Sequence, residues 1–293
     1  MSIIEEIKLT FKSGSNLTKL IYINLAIFIL VNLVEIFYFL LNRHDSYSAF
    51  LLTFAVPADL QLLIRKPWTP ITYMFLHKNF LHILFNLLWL YWFGRIFLEY
   101  LDGKKLVGVY ILGGLSGAFL YILAYNIFPV FFKQLQMSYA LGASAAVMAI
   151  VISISVYVPN YSVYLLFIGR VKIIYIAIIG FLVTSLFDFS INTGGKIAHI
   201  GGALFGFLFI LQYRKGRDMT RGLSRFLDAI IGLFKPKPKV TVTHRRSETD
   251  YDYNIRKKEE QVEIDRILDK IAKSGYDSLT KQEKDILFRQ SKN

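Results

Sequence analysis

The chain has 293 residues, 54% of them hydrophobic, with 34 Lys and Arg against 21 Asp and Glu, a net charge of +13 and no cysteine. A mean hydropathy of +0.44, concentrated in the first two thirds, excludes an ordinary soluble globular protein and points to a polytopic membrane protein. The missing cysteine excludes disulfides, thiolate metal sites and cysteine nucleophiles.

Charge divides the chain in two. Residues 1–213 hold 14 Lys and Arg against 8 Asp and Glu, and residues 214–293 hold 20 against 13. The tail is much denser in charge, so a soluble appendage begins near Arg214. Beside apolar spans, a basic excess is read as attraction to anionic headgroups, and no nucleic-acid partner is expected.

In chain order, residues 1–18 form a mixed-charge start, and the first apolar segment lacks a small-residue cleavage site, so it is read as a retained helix. Six bilayer-length segments follow, at about 19–41, 80–99, 105–127, 139–158, 171–189 and 196–213. Six spans place both termini on one side of the membrane. With both termini cytoplasmic, twelve basic residues fall on inner segments and six on outer ones, which favours that orientation. The 42–79 connection is long and apolar, fits the membrane interface, and is expected to break into short pieces at Pro57, Pro67 and Pro70. No internal repeat of 20 to 50 residues is visible, which counts against a solenoid or an inverted-repeat transporter.

Polar residues inside spans are costly and mark function by default. In "FLHKNFLHILFNLLWLYWFG", His82 and Asn86 are four residues apart and share a helix face, with His77 preceding them. Alone, the pair reads equally well as interhelical glue. His77 and His82 lack the i,i+4 spacing and intervening Glu of a zinc protease, so no metal is expected. In "GGKIAHIGGALFGFLF", His199 lies one turn inside the last span beside the small-residue row Ala198, Gly202 and Gly206. In "YALGASAAVM", Ser144 lies shortly inside the fourth span, flanked by Gly142, Ala143 and Ala145, which read as allowing close helix approach. A serine becomes a nucleophile when a neutral imidazole takes its proton, and amide or imidazole donors then stabilise the tetrahedral oxyanion. Ser144 as nucleophile, His199 as base, and His82, Asn86 and the Ser144 backbone N–H as oxyanion donors make such a set.

At these residues the chain resembles the rhomboid intramembrane serine proteases, over about 60–213. "HKNFLHILFN" matches the family's second-helix motif at His77, His82 and Asn86; "GASA" matches its G-x-S-G at Ser144; and "AHIGGALFG" matches A-H-x-x-G-x-x-x-G at His199 and Gly202. The resemblance implies an all-α, six-transmembrane-helix rhomboid-like bundle spanning 19–213. It implies cleavage of transmembrane protein substrates by a Ser–His dyad, without cofactor or metal, in a water-filled pocket open to the outer face. It also implies that Gly142 and Met148 support the site. Two positions depart from the pattern: Ala145 follows the serine where the family has glycine, and Met148 stands where an aromatic often packs on the base. A thioether can still contact an imidazole. The resemblance implies a dyad, and Asp188, near the end of the fifth span, reads as a loop cap. The expected setting is the inner membrane of a bacterium. The alternatives are a catalytically silent rhomboid-like protein that binds transmembrane clients, and a transporter using the polar cluster as its pathway.

Residues 214–260 read as a basic amphipathic segment, with 222–234 on the inner membrane surface, followed by a flexible linker through 260. Residues 261–293 read as a small helical hairpin with Gly275 as a stop and Thr280 and Glu283 as a capping box. At about 30 residues it is too small for its own core and is expected to dock on this chain or on an unidentified partner.

Overall fold

The computed structural model describes residues 14–166, 168–190, 192–234 and 250–290. Most of the expected 1–18 segment and of the linker before Asp250 lies outside the described residues. The chain divides into two compact units, 1–235 and 236–293.

In the first unit, α1 (Asn16–Leu40) starts where the Ser15 hydroxyl accepts the Thr18 N–H. Leu30, Leu33 and Phe37 are exposed along it, as on a helix that meets lipid. Its buried Asn24 donates to the Tyr110 hydroxyl at 3.1 Å, tying α1 to the helix that carries Tyr110. The following connection breaks into α2 (His44–Phe54), β1 (Val56–Pro57), α3 (Leu60–Arg65), α4 (Thr69–Thr72) and a 3₁₀ turn at Tyr73–Phe75. Side chains hold these pieces together: Trp68 Nε1 donates to the Thr53 carbonyl at 2.9 Å, and Thr72 Oγ1 to that of Phe54 at 2.7 Å.

Next come α5 (Phe80–Tyr100), α6 (Gly103–Ile127), β2 (Tyr139–Ala140), α7 (Ser144–Tyr157), β3 (Ser162–Leu165), β4 (Gly169–Lys172), α8 (Ile173–Ser185), α9 (Thr193–Arg214) and α10 (Arg221–Phe234). β1 and β2 pair antiparallel through Val56 with Ala140 and Pro57 with Tyr139. β3 and β4 form a separate two-stranded hairpin.

The core is a three-helix contact of α6, α7 and α9 built on absent side chains. A Cβ on Gly202 would come within 2.0 Å of the Ala145 carbonyl oxygen, and one on Gly206 within 2.3 Å of the Ala149 oxygen. From the other side, a Cβ on Gly113 would meet Ala149, and one on Gly117 would meet Ala145. Backbones at this distance leave no room for a methyl group, which is the physical content of the small-residue rows. Ser153 Oγ adds a hydrogen bond to the Gly206 carbonyl at 3.1 Å.

Among the described residues four helices, α1, α5, α6 and α9, are long and apolar enough to cross a membrane, and α7 and α8 are shorter apolar helices. The fourth and fifth expected spans are thus trimmed. Residues 139–143 become a strand and loop, so α7 begins at Ser144 itself. Residues 186–190 wind through turns instead of continuing α8, with Asp188 left-handed at φ +47° and Lys196 Nζ donating to the Phe187 and Asp188 carbonyls. At 14 residues α7 is about 21 Å long, below the roughly 30 Å of a hydrocarbon core. It tolerates this because most of its residues are buried in protein.

In the second unit, α11 (Asp250–Ser274) begins ten residues earlier than the expected end of the linker. Its first turns are rich in Lys, Glu and Gln, which favour helix, and Arg256 pairs with Glu260 one turn on. Gly275 leaves the helix at φ +80°. After a 3₁₀ turn, α12 (Lys281–Gln290) starts at Thr280, whose N–H donates to Glu283 Oε2 at 2.7 Å. Lys270 of α11 reaches the same carboxylate at 2.9 Å. Within this unit Ile267 and Leu279 are buried.

Candidate active site

Ser144 is the first residue of α7, and the loop before it is tied at two points. β2 pairs with β1, and the Gly142 N–H donates to the Tyr73 carbonyl at 2.9 Å. Gly142 itself sits at φ +132°, a region that a residue with a Cβ enters only under strain. A Cβ there would stand 2.8 Å from His82 Cε1 and 3.7 Å from Ser144 Oγ. His82 and Ser144 therefore flank one glycine, whose missing side chain lets the imidazole reach the serine loop. Gly142 serves this loop and not a helix seam, which corrects the sequence expectation; Ala145 is the residue packed in the seam.

The Ala143 carbonyl accepts the Val147 N–H at 2.9 Å and opens the helix. As the first helical residue, Ser144 has an N–H with no intrahelical acceptor, at the positive end of the helix dipole. That N–H is available to a developing negative charge.

His199 lies in the second turn of α9, one turn deeper than the sequence suggests. Its Nδ1 is 3.2 Å from the Thr184 carbonyl at the end of α8. A carbonyl only accepts, so the proton resides on Nδ1 and the lone pair on Nε2. Asn86, buried on α5, donates from Nδ2 to the His82 carbonyl at 2.8 Å, which fixes its amide beside the imidazole.

These groups meet in one cavity of about 330 Å³, lined by His82, Asn86, Ser144 and His199 together with Trp89, Met148, Thr184 and Asn192. The wall is mostly apolar with a few polar groups in it, a composition typical of ligand sites. Met148 lies one turn beyond Ser144 and contributes its thioether to the wall. Among the described residues, Ser144 Oγ has no hydrogen-bond partner. Gly142 and three further candidates lie outside the cavity lining. His77 is fully buried behind His82, with ring centroids 5.2 Å apart, its Nδ1 near the Phe75 carbonyl and its Nε2 without a partner among the described residues. Gly202 sits against the Ala145 backbone and sets helix spacing. Asp188 accepts from the Ser190 hydroxyl at 3.0 Å and does not touch His199.

A Rhomboid domain model matches residues 65–216, just over half of the chain. The chain belongs to the rhomboid family. It is an integral multi-pass membrane protein of that family, mostly helical. Every residue of the cavity falls inside the rhomboid match, while α1 and α2 precede it. A family of unknown function (DUF6576) matches residues 247–293, which takes in α11 and α12. A comparison with curated proteins gives no match.

The Thr184 carbonyl is invisible in the sequence, because a main-chain acceptor leaves no mark in residue type. The wall formed by Trp89 had a faint signal in Gly180, a lone glycine in an apolar segment. A Cβ there would fall 2.4 Å from the Trp89 ring, so α5 and α8 of this rhomboid close on each other at that point.

Proposed function

We propose that this rhomboid-family protein is an intramembrane serine endopeptidase that cuts peptide bonds in or near transmembrane segments of other proteins. The observation that carries the reading is that Ser144, His199, His82 and Asn86, drawn from three helices, line one cavity. Rhomboid proteins are generally intramembrane serine proteases, which agrees with it.

In this reading Ser144 Oγ attacks the scissile carbonyl carbon while His199 Nε2 takes its proton. The oxyanion forms against the Ser144 N–H, His82 and the Asn86 amide, and the start of α7 adds its dipole. Collapse of the intermediate breaks the C–N bond, and the leaving amine takes the proton from His199. Water, activated by the same imidazole, then attacks the acyl-enzyme and releases the carboxylate with Ser144 restored. No metal or cofactor takes part. A substrate helix must free a carbonyl from its own ladder, so segments with small or helix-breaking residues are preferred. All six apolar helices, the short α7 and α8 included, span the bilayer; both termini are cytoplasmic, in the inner membrane of a bacterium.

The second reading is a catalytically silent rhomboid that binds transmembrane clients. One observation favours it: Ser144 and His199 share no hydrogen bond among the described residues. Unliganded catalytic pairs are often long and tighten only with substrate, so this does not outweigh the shared cavity. Labelling by a fluorophosphonate, which reacts with an activated serine, separates the two. Adduct on Ser144 that disappears in His199→Ala supports the protease; no adduct on the folded protein supports the silent relative.

A further inference from the structure

The segment after the last long helix carries an assignment that does not depend on the protease reading. Thr220, fully buried, presses into the notch of Gly108 on α6, where a Cβ would come within 2.5 Å of it. Asp218 fixes this corner by accepting from both the Thr220 N–H and its hydroxyl, at 2.8 and 2.6 Å. α10 starts at the next residue, and Asp228 along it pairs with Lys104 at 2.6 Å, at the first turn of α6. α10 is therefore held beside the end of a membrane-length helix, at the depth where headgroups lie.

Its two faces differ sharply. Leu223, Phe226, Leu227, Ile230 and Leu233 recur at helical spacing, and Phe226 and Leu233 are 61% and 83% exposed. Arg221, Arg225 and Asp228 share the opposite face. A groove of about 530 Å³ separates that polar face from the start of α6. The three carboxylates at the groove, Asp102, Asp218 and Asp228, all face lysines: Lys105 lies near the first two and Lys104 bonds the third. Arg221 and Arg225 have no side-chain partner among the described residues. An apolar face at headgroup depth with two uncommitted guanidinium groups above it suits one occupant best.

We propose that α10 is a docking helix for anionic phospholipid: acyl chains cover Phe226, Ile230 and Leu233, and the phosphate of an anionic headgroup sits against Arg221 and Arg225. Guanidinium matches phosphate geometry in a bidentate manner, and the acyl region supplies the apolar cover that the protein leaves off.

The chain has no cysteine, so a single Phe226→Cys carries a fluorophore without background. The full-length protein is placed in nanodiscs containing brominated phosphatidylglycerol or brominated phosphatidylcholine at equal mole fraction. Gly232→Cys, on the polar side where a Cβ meets nothing within 4 Å, serves as the control. The expected result is that lipid bromine quenches the 226 label and aqueous iodide does not, that iodide quenches the 232 label, and that phosphatidylglycerol quenches 226 more strongly. Arg221→Gln with Arg225→Gln removes that lipid difference while 226 remains shielded from iodide. Iodide quenching at 226 overturns the proposal. So does shielding from both iodide and bromine, which means a protein surface covers the face. Equal quenching by both lipids in the unmodified chain overturns the headgroup assignment.

Discussion

The imidazole Nδ1 of His199 in α9 lies 3.2 Å from the main-chain carbonyl of Thr184 in α8, so the end of one helix sets the tautomer of an imidazole on the next. The bond leaves Nε2 as the acceptor in the cavity that contains Ser144. Because the acceptor is backbone, substitutions of the Thr184 side chain are expected to be mild. Thr184→Val retains cleavage within a few-fold of wild type, whereas Thr184→Pro, which bends the end of α8, abolishes it; rates on one transmembrane substrate in liposomes compare the two.

Asp188 provides a test of dyad against triad. Its carboxylate accepts from Ser190, not from His199, and its backbone is left-handed at φ +47°. Asp188→Asn keeps both the turn and an acceptor oxygen, so activity and pH profile remain those of wild type. A loss of a hundred-fold or more would show that Asp188 orients the base.

In the proposed reaction His82 and Asn86 act on the transition state. Each alanine substitution lowers kcat by about 10² to 10³-fold with smaller change in KM. Gly142→Ala lowers kcat as well, because its new methyl group would lie 2.8 Å from His82 Cε1. Steady-state kinetics on a folded, monodisperse sample make the measurement.

Gly202 tests the seam. Its Cβ would fall 2.0 Å from the Ala145 carbonyl oxygen, so Gly202→Ala forces α7 and α9 apart, costs about 1–3 kcal/mol and displaces Ser144 from His199. Gly222→Ala in α10 meets nothing within 4 Å and leaves stability unchanged or slightly raised. Thermal unfolding in one detergent ranks the two variants.

The tail carries a pH prediction. The Thr280 N–H, then Lys270, then the Thr280 hydroxyl hold the Glu283 carboxyl down to about 2, from an ordinary 4.5. A depressed carboxyl contributes stability that is fully present above its ordinary value and is lost as pH falls toward 2. Protection of α12 amides in the full-length chain, corrected for intrinsic exchange, should thus be flat above pH 5 and decline below about 4. Glu283→Gln removes the decline.

Much of the site was legible in residue type. Ser144, His199, His82 and Asn86 were readable because polar groups in apolar helices are conspicuous, and the glycines at 202 and 206 because close helices need them. What escaped was backbone. Residues 139–143 are as apolar as a helix, yet they pair with β1 and turn at Gly142, so Ser144 opens α7 instead of lying inside it. The Thr184 carbonyl left no sequence trace. His77, grouped with the polar cluster by its motif, is packed behind His82, because helical phase alone does not reveal which loop residue faces a cavity. Residues 250–260 looked like solvated linker by charge, yet they form helix, and Arg256 pairs with Glu260 one turn on.

The central claim is that Ser144 and His199 act together on a transmembrane peptide bond. The most direct measurement is cleavage of a model transmembrane substrate with a helix-breaking residue near one end, by the full-length protein in liposomes, with product mass fixing the bond. Cleavage by wild type that Ser144→Ala and His199→Ala each reduce to background is the predicted result. Cleavage that persists at the wild-type rate in either variant, with both proteins folded, contradicts it.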